Sequence, residues 1–165
     1  MTPQIRTFDR QDWPRIRRIY EAGIASGNAT FDPAPPSEEE FFASRVPELR
    51  LAAVDDGGTI LGWTAATRIS ARPAYRGVVE HSLYVDPAAA GHGVGKMLLT
   101  ALADTAVAHG YWCLRGTIFA ENAASIALHH QAGFRRVGVL EGIALMTYGP
   151  SAGRWRDTIL FQRRL

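Results

Sequence analysis

Three glycines alternate in the run Gly91-His92-Gly93-Val94-Gly95-Lys96, and no other stretch restricts so tightly what the chain can become. The run follows an apolar strand pattern over residues 78–85. It precedes a helical pattern that reaches about His109, where Gly110 stops it. Residues without a Cβ let another group approach the backbone closely. The first N–H groups of the following helix have no intrahelical acceptor and carry about half a unit of positive charge. Strand, glycine turn and helix thus make an anion site suited to a pyrophosphate. Lys96 adds a cation where the helix dipole alone disfavours one, which fits an anion nearby. Two familiar phosphate sites are excluded by spacing. A dinucleotide turn, G-x-G-x-x-G, needs glycine where Lys96 stands and follows a first strand, whereas this turn follows about the fourth. A P-loop needs Ser or Thr after its lysine, and Met97 stands there. The glycines by themselves also allow a turn with no ligand.

Around this turn the chain reads as one domain, residues 1–165. A short strand over 5–8 leads to a helix from Asp9 with Trp13, Ile16, Ile19 and Tyr20 on one face. The segment from Gly27 to Pro33 breaks it, and Ser37 with Glu40 forms a capping box for a second helix. Residues 51–54 and 60–69 are strands joined by the hairpin turn Asp55-Asp56-Gly57-Gly58. A loop over 72–77 enters strand 78–85. Beyond the glycine helix come strand 112–119, helix 122–132 closed by Gly133, and strands 134–145 and 155–162. The order β-α-α-β-β-β-α-β-α-β-β predicts a mixed α/β fold with early antiparallel hairpins and one βαβ-like crossover near the middle.

The chain of 165 residues is 47% hydrophobic and 21% charged, the profile of a globular protein. No apolar run approaches the ~20 residues of a membrane span, and the N-terminus has no signal-peptide core. The expected location is the cytoplasm, with no membrane partner. Cys113 is the only cysteine, so an intrachain disulfide and a cysteine-rich zinc site are excluded. No His, Asp or Glu spacing suggests a metal. The net charge of +2 lacks the dense basic stripe of a nucleic-acid binder. Arg154, Arg156, Arg163 and Arg164 read as mostly solvated or paired.

The run from Leu83 to Lys96 resembles the acyl-CoA motif of the GNAT superfamily of N-acetyltransferases, Gln/Arg-x-x-Gly-x-Gly/Ala. Ala90 stands at the Gln/Arg position, which shifts the expected grip to backbone N–H groups of Gly91 to Lys96. The run from Asn122 through Leu128 and His129 to Gly133-Phe134 resembles a second element of the family. The resemblance implies a twisted, mostly antiparallel sheet of about six or seven strands with helices on both faces. It implies acetyl-CoA as co-substrate, held by Leu83, Tyr84, Val85, Gly91, His92, Gly93, Val94, Gly95, Lys96 and Asn122. Gly27 to Phe31, Arg72 to Arg76, Val79 to Val85 and Gly153 to Asp157 are similar to the phosphinothricin/methionine sulfoximine acetyltransferase branch. That similarity implies a small amino-acid-like amine as acceptor and a homodimer; the alternatives are a protein N-terminus or a polyamine as acceptor, or a non-catalytic acyl-CoA-binding module. Met146 to Ala152 is a few residues longer than the usual segment.

Acetyl transfer needs a neutral amine, a polarised thioester and a tolerated thiolate. An α-amine of pKa ~8 is about one-tenth neutral at pH 7, a cost of only ~1.4 kcal/mol, whereas positioning contributes about 7–11 kcal/mol. Alignment with a modest base therefore suffices. Glu80, just ahead of the cofactor stretch, is the candidate base. A free glutamate titrates near ~4.3, so a water relay is expected. The structural alternative for Glu80 is an ion pair with Arg68 or Arg76. Alternation puts Glu80 and Ser82 on one strand face and His81 on the other. His81 is the rival base, or a structural histidine. The resemblance implies that Glu80, His81 and Ser82 border the acceptor and that Phe31 walls it. Arg72, Tyr75 and Arg76 sit on the loop entering this strand, and guanidinium forks suit a carboxylate or phosphinate. His129 stands where many relatives carry Tyr; it can protonate the departing thiolate or simply pack near the sheet. Cys113 reads as inert core, so the amine attacks directly.

Overall fold

The computed structural model describes residues 3–165. Seven strands form one sheet: β1 (Gln4–Thr7), β2 (Leu51–Val54), β3 (Ile60–Arg68), β4 (Val78–Val85), β5 (Cys113–Phe119), β6 (Arg135–Leu145) and β7 (Trp155–Arg164). Their order is β1-β2-β3-β4-β5-β7-β6. All neighbours are antiparallel except β4 and β5. Those two are joined by the crossover helix α3 (Val94–Ala108), which with α1 (Trp13–Ala25), α2 (Glu38–Ser44) and α4 (Ala123–Gln131) completes the helices. The expected mixed α/β order holds throughout.

Local chemistry sets the element ends. Ser37 accepts from the Glu40 N–H, and the Glu40 carboxylate accepts in return from the Ser37 N–H, the capping box expected for α2. Asp9 caps a single 3-10 turn, Arg10–Asp12, and α1 proper begins at Trp13. β1 ends at Thr7 rather than Phe8, because its pairing with β2 stops at Thr7↔Leu51, and Phe8 beyond it is buried. β3 ends at Arg68, one residue short of expectation.

Period-two alternation gives the sheet two apolar faces. On one, Trp63, Ala65 and Tyr84 pack beneath α1 and α2, with Trp13, Ile16, Ile19, Tyr20, Phe41 and Phe42. Here Tyr20, Trp63 and Tyr84 form a stack with centroids 4.6–5.5 Å apart. On the other, Val79, Leu114, Ile118, Ile159 and Phe161 pack against Leu98, Leu99 and Leu102 of α3. β6 lies at the sheet edge and leaves Val137, Val139, Ile143 and Leu145 exposed, beside Trp155 at 68% exposure.

One break in this regular sheet positions everything that follows. The parallel ladder between β4 and β5 contains only Val78↔Cys113, Val79↔Leu114 and Glu80↔Arg115. Beyond Glu80 the strands part, while β4 remains paired to β3 as far as Val85 and β5 to β7 as far as Phe119.

Candidate active site

Where the ladder stops, a cleft of about 550 Å³ opens through the sheet. Because the strands have separated, side chains from both faces reach it. Glu80, Ser82 and Tyr84 come from the α1–α2 face, and His81 and Leu83 from the α3–α4 face. Phe31, Asn122 and His129 complete the set of expected site residues that line it.

Glu80 is half-exposed. One carboxylate oxygen lies 3.0 Å from Arg115 Nε, and the other accepts a 3.4 Å hydrogen bond from the Thr117 hydroxyl. The Arg115 N–H does not point at the oxygen, so the contact is coulombic rather than a hydrogen bond. The partner is thus Arg115, the register neighbour across the ladder, and not Arg68 or Arg76. Arg68 instead donates to the Arg76 carbonyl.

His81 and His129 form a buried pair with their Nε2 atoms 2.9 Å apart. His129 Nδ1 lies 2.7 Å from the Ser125 carbonyl, which can only accept, so Nδ1 carries the proton. A neutral His129 then accepts at Nε2 from His81 Nε2–H. Burial first, then the neighbouring His129, pushes the His81 pKa down to about 3. Burial likewise lowers His129, against the opposing effect of the Ser125 carbonyl. Both rings stay neutral near pH 7. Gly116 makes this possible: a Cβ there would lie 2.8 Å from His81 Cε1. Both His129 nitrogens are engaged, so donating a proton to a thiolate requires breaking one of those bonds.

The cleft's outer wall is the loop between α1 and α2. Arg156, 5% exposed, donates to the Gly27 carbonyl at 2.7 Å and to the Asn28 side chain, pairs with Glu121 at 3.1 Å and lies 3.6 Å over Phe119. Tyr148 donates to the Thr30 carbonyl at 2.6 Å, and Phe31 packs edge-on against Phe119 at 4.8 Å. The long segment before Gly153 therefore folds onto this loop. Of the arginines expected to be solvated or paired, Arg156 is paired, with Glu121, and is also a buried anchor of this loop. Asn122 is also occupied: its carbonyl oxygen caps α4 at Ser125 N and its amide donates to the Asn28 carbonyl at 3.0 Å. Its side chain joins the loop to α4.

The glycine turn lies past the end of β4, outside the cleft lining. Gly91 and Gly93 have φ of +78° and +80°, the left-handed region that favours glycine. A Cβ at either would meet nothing within 4 Å, so the space above the turn is open. Gly93 is the N-cap of α3 and offers no side chain to it, leaving the first-turn N–H groups of Val94, Gly95 and Lys96 without intrahelical acceptors. His92 and Lys96 are exposed there, whereas Val94 is buried in the core. Gly95 serves packing as well, since a Cβ would lie 2.8 Å from Leu128. Leu83 and Tyr84 bridge turn and cleft, Val85 continues the strand toward the turn, and the Tyr84 ring is committed to its aromatic stack.

Arg72, Tyr75 and Arg76 flank a 3-10 turn, Pro73–Tyr75, behind the closed end of the ladder. They do not line the cleft. Arg72 lies over Tyr75, Arg76 over Trp112, and Tyr75 borders a second, apolar cavity of about 460 Å³ with Trp112 and Cys113. Cys113 is buried and 3.3 Å from Gln162 Nε2, in keeping with a packed thiol. Among the described residues no group of three or more His, Cys, Asp or Glu is placed to hold a metal ion, and no helix is long and apolar enough to cross a membrane.

Open space above two left-handed glycines, an uncapped helix start and a strand edge released from its ladder fit a long phosphate-bearing acyl carrier. The Acetyltransferase (GNAT) family model matches residues 10–134, and the chain belongs to that family. It is an acetyl-CoA-dependent N-acetyltransferase. Among relatives, it is 35% identical to the phosphinothricin N-acetyltransferase of Alcaligenes faecalis, over 98% of this chain and 82% of that one. It is 32% identical to the L-methionine sulfoximine/L-methionine sulfone acetyltransferase of Pseudomonas paraeruginosa, over 100% and 96%. The crystal structure of a GNAT superfamily phosphinothricin acetyltransferase from Sinorhizobium meliloti in complex with AcCoA superposes with a TM-score of 0.87 at 34% identity, over 100% of this chain and 89% of that chain.

Proposed function

We propose that the enzyme acetylates the primary amine of a small amino-acid-like acceptor, of the phosphinothricin or methionine sulfone type, by direct attack. The observation that carries this reading is the end of the β4–β5 ladder. There Glu80 and Ser82 meet Phe31 and the α1–α2 loop in a cleft of about 550 Å³, room for a small acceptor rather than a folded one.

Acetyl-CoA, when bound, supplies the activated acyl group and a thiol leaving group. The N–H groups of Gly91 to Lys96 hold its phosphates, and the free edge of β4 from Leu83 to Val85 directs its arm toward Glu80. Glu80 receives the amine proton through a water, and the thiolate takes up a proton from the same relay, so one N–H proton is exchanged for one S–H. Arg115 and Thr117 orient the Glu80 carboxylate. His129 keeps both its bonds and, with His81, walls the cleft. Arg72, Tyr75 and Arg76 touch the acceptor only if a second copy brings them to this cleft. A homodimer is supported by the apolar edge of Val137, Val139, Ile143 and Leu145.

Thiol release from acetyl-CoA, followed across amino acids, methionine sulfoximine, methionine sulfone and phosphinothricin, tests the acceptor. Turnover with at least one is expected; acetyl-CoA binding with no turnover on any sinks the small-acceptor reading. Glu80→Gln should lower kcat about 10²-fold or more at unchanged acetyl-CoA affinity, and an unchanged kcat removes Glu80 from the role.

A further inference from the structure

We propose that Arg45 is the specificity residue that holds an oxyanion of the acceptor, resting on the small-acceptor reading above. Arg45 follows the last residue of α2, where its N–H closes the helix on the Phe41 carbonyl at 3.2 Å. The next residue fixes its place, since Val46 N–H donates to the Ala66 carbonyl of β3 at 2.9 Å. Ala66 and Thr67 stand opposite His81 and Glu80 in the β3–β4 register. One strand spacing is ~4.8 Å, so a side chain leaving Arg45 on the α1–α2 face needs to cross only β3 to reach the level of Glu80. Arg45 indeed lines the cleft, on the side of Tyr20.

Its chemistry there is unfinished. The guanidinium carbon lies 4.7 Å from the centre of the fully buried Phe41 ring, a cation–π contact. Nη1 donates to the Ser44 hydroxyl at 2.7 Å, and Nε is buried with no acceptor. Among the described residues no carboxylate is within ion-pair distance of it, whereas Arg115 has Glu80 and Arg156 has Glu121. Asp32 also lines the cleft, and it acts on the Tyr20 phenol with the opposite sign to Arg45, whose guanidinium lies beside that phenol. The cleft thus carries acidic groups in Glu80 and Asp32 and one cation without a counter-ion. A guanidinium with no carboxylate beside it is the group that recognises carboxylate or phosphinate. An acceptor with an amine near Glu80 and an oxyanion at Arg45 meets both needs.

The test compares wild type with Arg45→Gln and Arg45→Lys, each checked for native melting and unchanged acetyl-CoA binding. Two substrate pairs separate the sources of the oxyanion. An amino-acid acceptor against its methyl ester reports the carboxylate, and phosphinothricin against methionine sulfone reports the distal phosphinate. Wild type should prefer the anionic member of one pair. Arg45→Gln should lower kcat/KM for that member roughly 10- to 100-fold, mostly through KM, and leave the neutral member within a few-fold. Arg45→Lys should recover part of the loss. Equal losses on both members of both pairs, or no loss, overturn the assignment. Failure of the wild type to turn over any of these acceptors instead overturns the reading on which it rests.

Discussion

Lowering the pH should destabilise this enzyme through His81 in a way that one substitution removes. In the unfolded chain an imidazole titrates near ~6.5; in the folded protein His81 is held at about 3. Between these values the unfolded chain binds more protons than the folded one, so stability is fully present above ~6.5 and falls as the pH falls toward 3. At pH 5 the group is about 1.5 pH units below its unfolded pKa, which at ~1.36 kcal/mol per unit makes a loss of about 2 kcal/mol relative to pH 7.5. His129 shifts in the same direction and adds to the loss. In His81→Gln the amide can still donate to His129 Nε2, while the titrating group is gone. Urea unfolding followed by tryptophan fluorescence at pH 7.5, 6.5, 5.5 and 5.0 measures the change. Wild type should lose about 2 kcal/mol more than His81→Gln over that range. Parallel pH dependences for the two proteins would refute a buried, neutral His81.

Other outcomes follow from the same geometry. Gly93→Ala should fold, because its Cβ meets nothing, but at a strain of about 1–2 kcal/mol at φ +80°; calorimetry should show acetyl-CoA affinity reduced tenfold or more. Gly116→Ala drives a methyl to 2.8 Å from His81 and should cost about 1–3 kcal/mol by denaturant titration. Arg156→Met leaves the Gly27 carbonyl and the Asn28 side chain without their donor. It should cost about 1–3 kcal/mol and raise the acceptor KM while sparing acetyl-CoA binding. Trp155→Glu, at an exposed apolar edge, should shift sedimentation from dimer to monomer; a wild type that sediments as a monomer ends the dimer reading.

What was legible in the sequence was what local chemistry decides. The glycine turn, the Ser37–Glu40 capping box and the Asp55–Gly58 hairpin each depend on neighbours within a few positions, and each stands where expected. Contacts set by strand register were not legible. Glu80 meets Arg115 because of where a parallel ladder closes, and no spacing between residues 80 and 115 announces it. Arg72 and Arg76 looked close to Glu80 along the chain, yet the closed ladder lies between their turn and the cleft. Arg156 reaches Gly27 across 129 positions, through the placement of β7. Arg45 left no trace either, because it lies just past α2 with an extended backbone, and its contact with Phe41 depends on how the chain leaves the helix. Asn122 showed the limit of a motif, which marked the position but not that both ends of its amide were already used.

The parted strands also have a mechanical meaning. Within the sheet only three ladder pairs join β1–β4 to β5–β7, so it is two panels meeting along a short seam, backed on one face by the shared core under α3. The Arg156 and Tyr148 clasps on the α1–α2 loop act as a second fastening on the open side. A ligand lying along the exposed edge of β4 would bridge the panels. At a hundred times its dissociation constant it would add about 2.7 kcal/mol to the stability of the whole domain. The catalytic opening is thus also the stretch where no ladder joins the two panels, and a co-substrate seated there would span it.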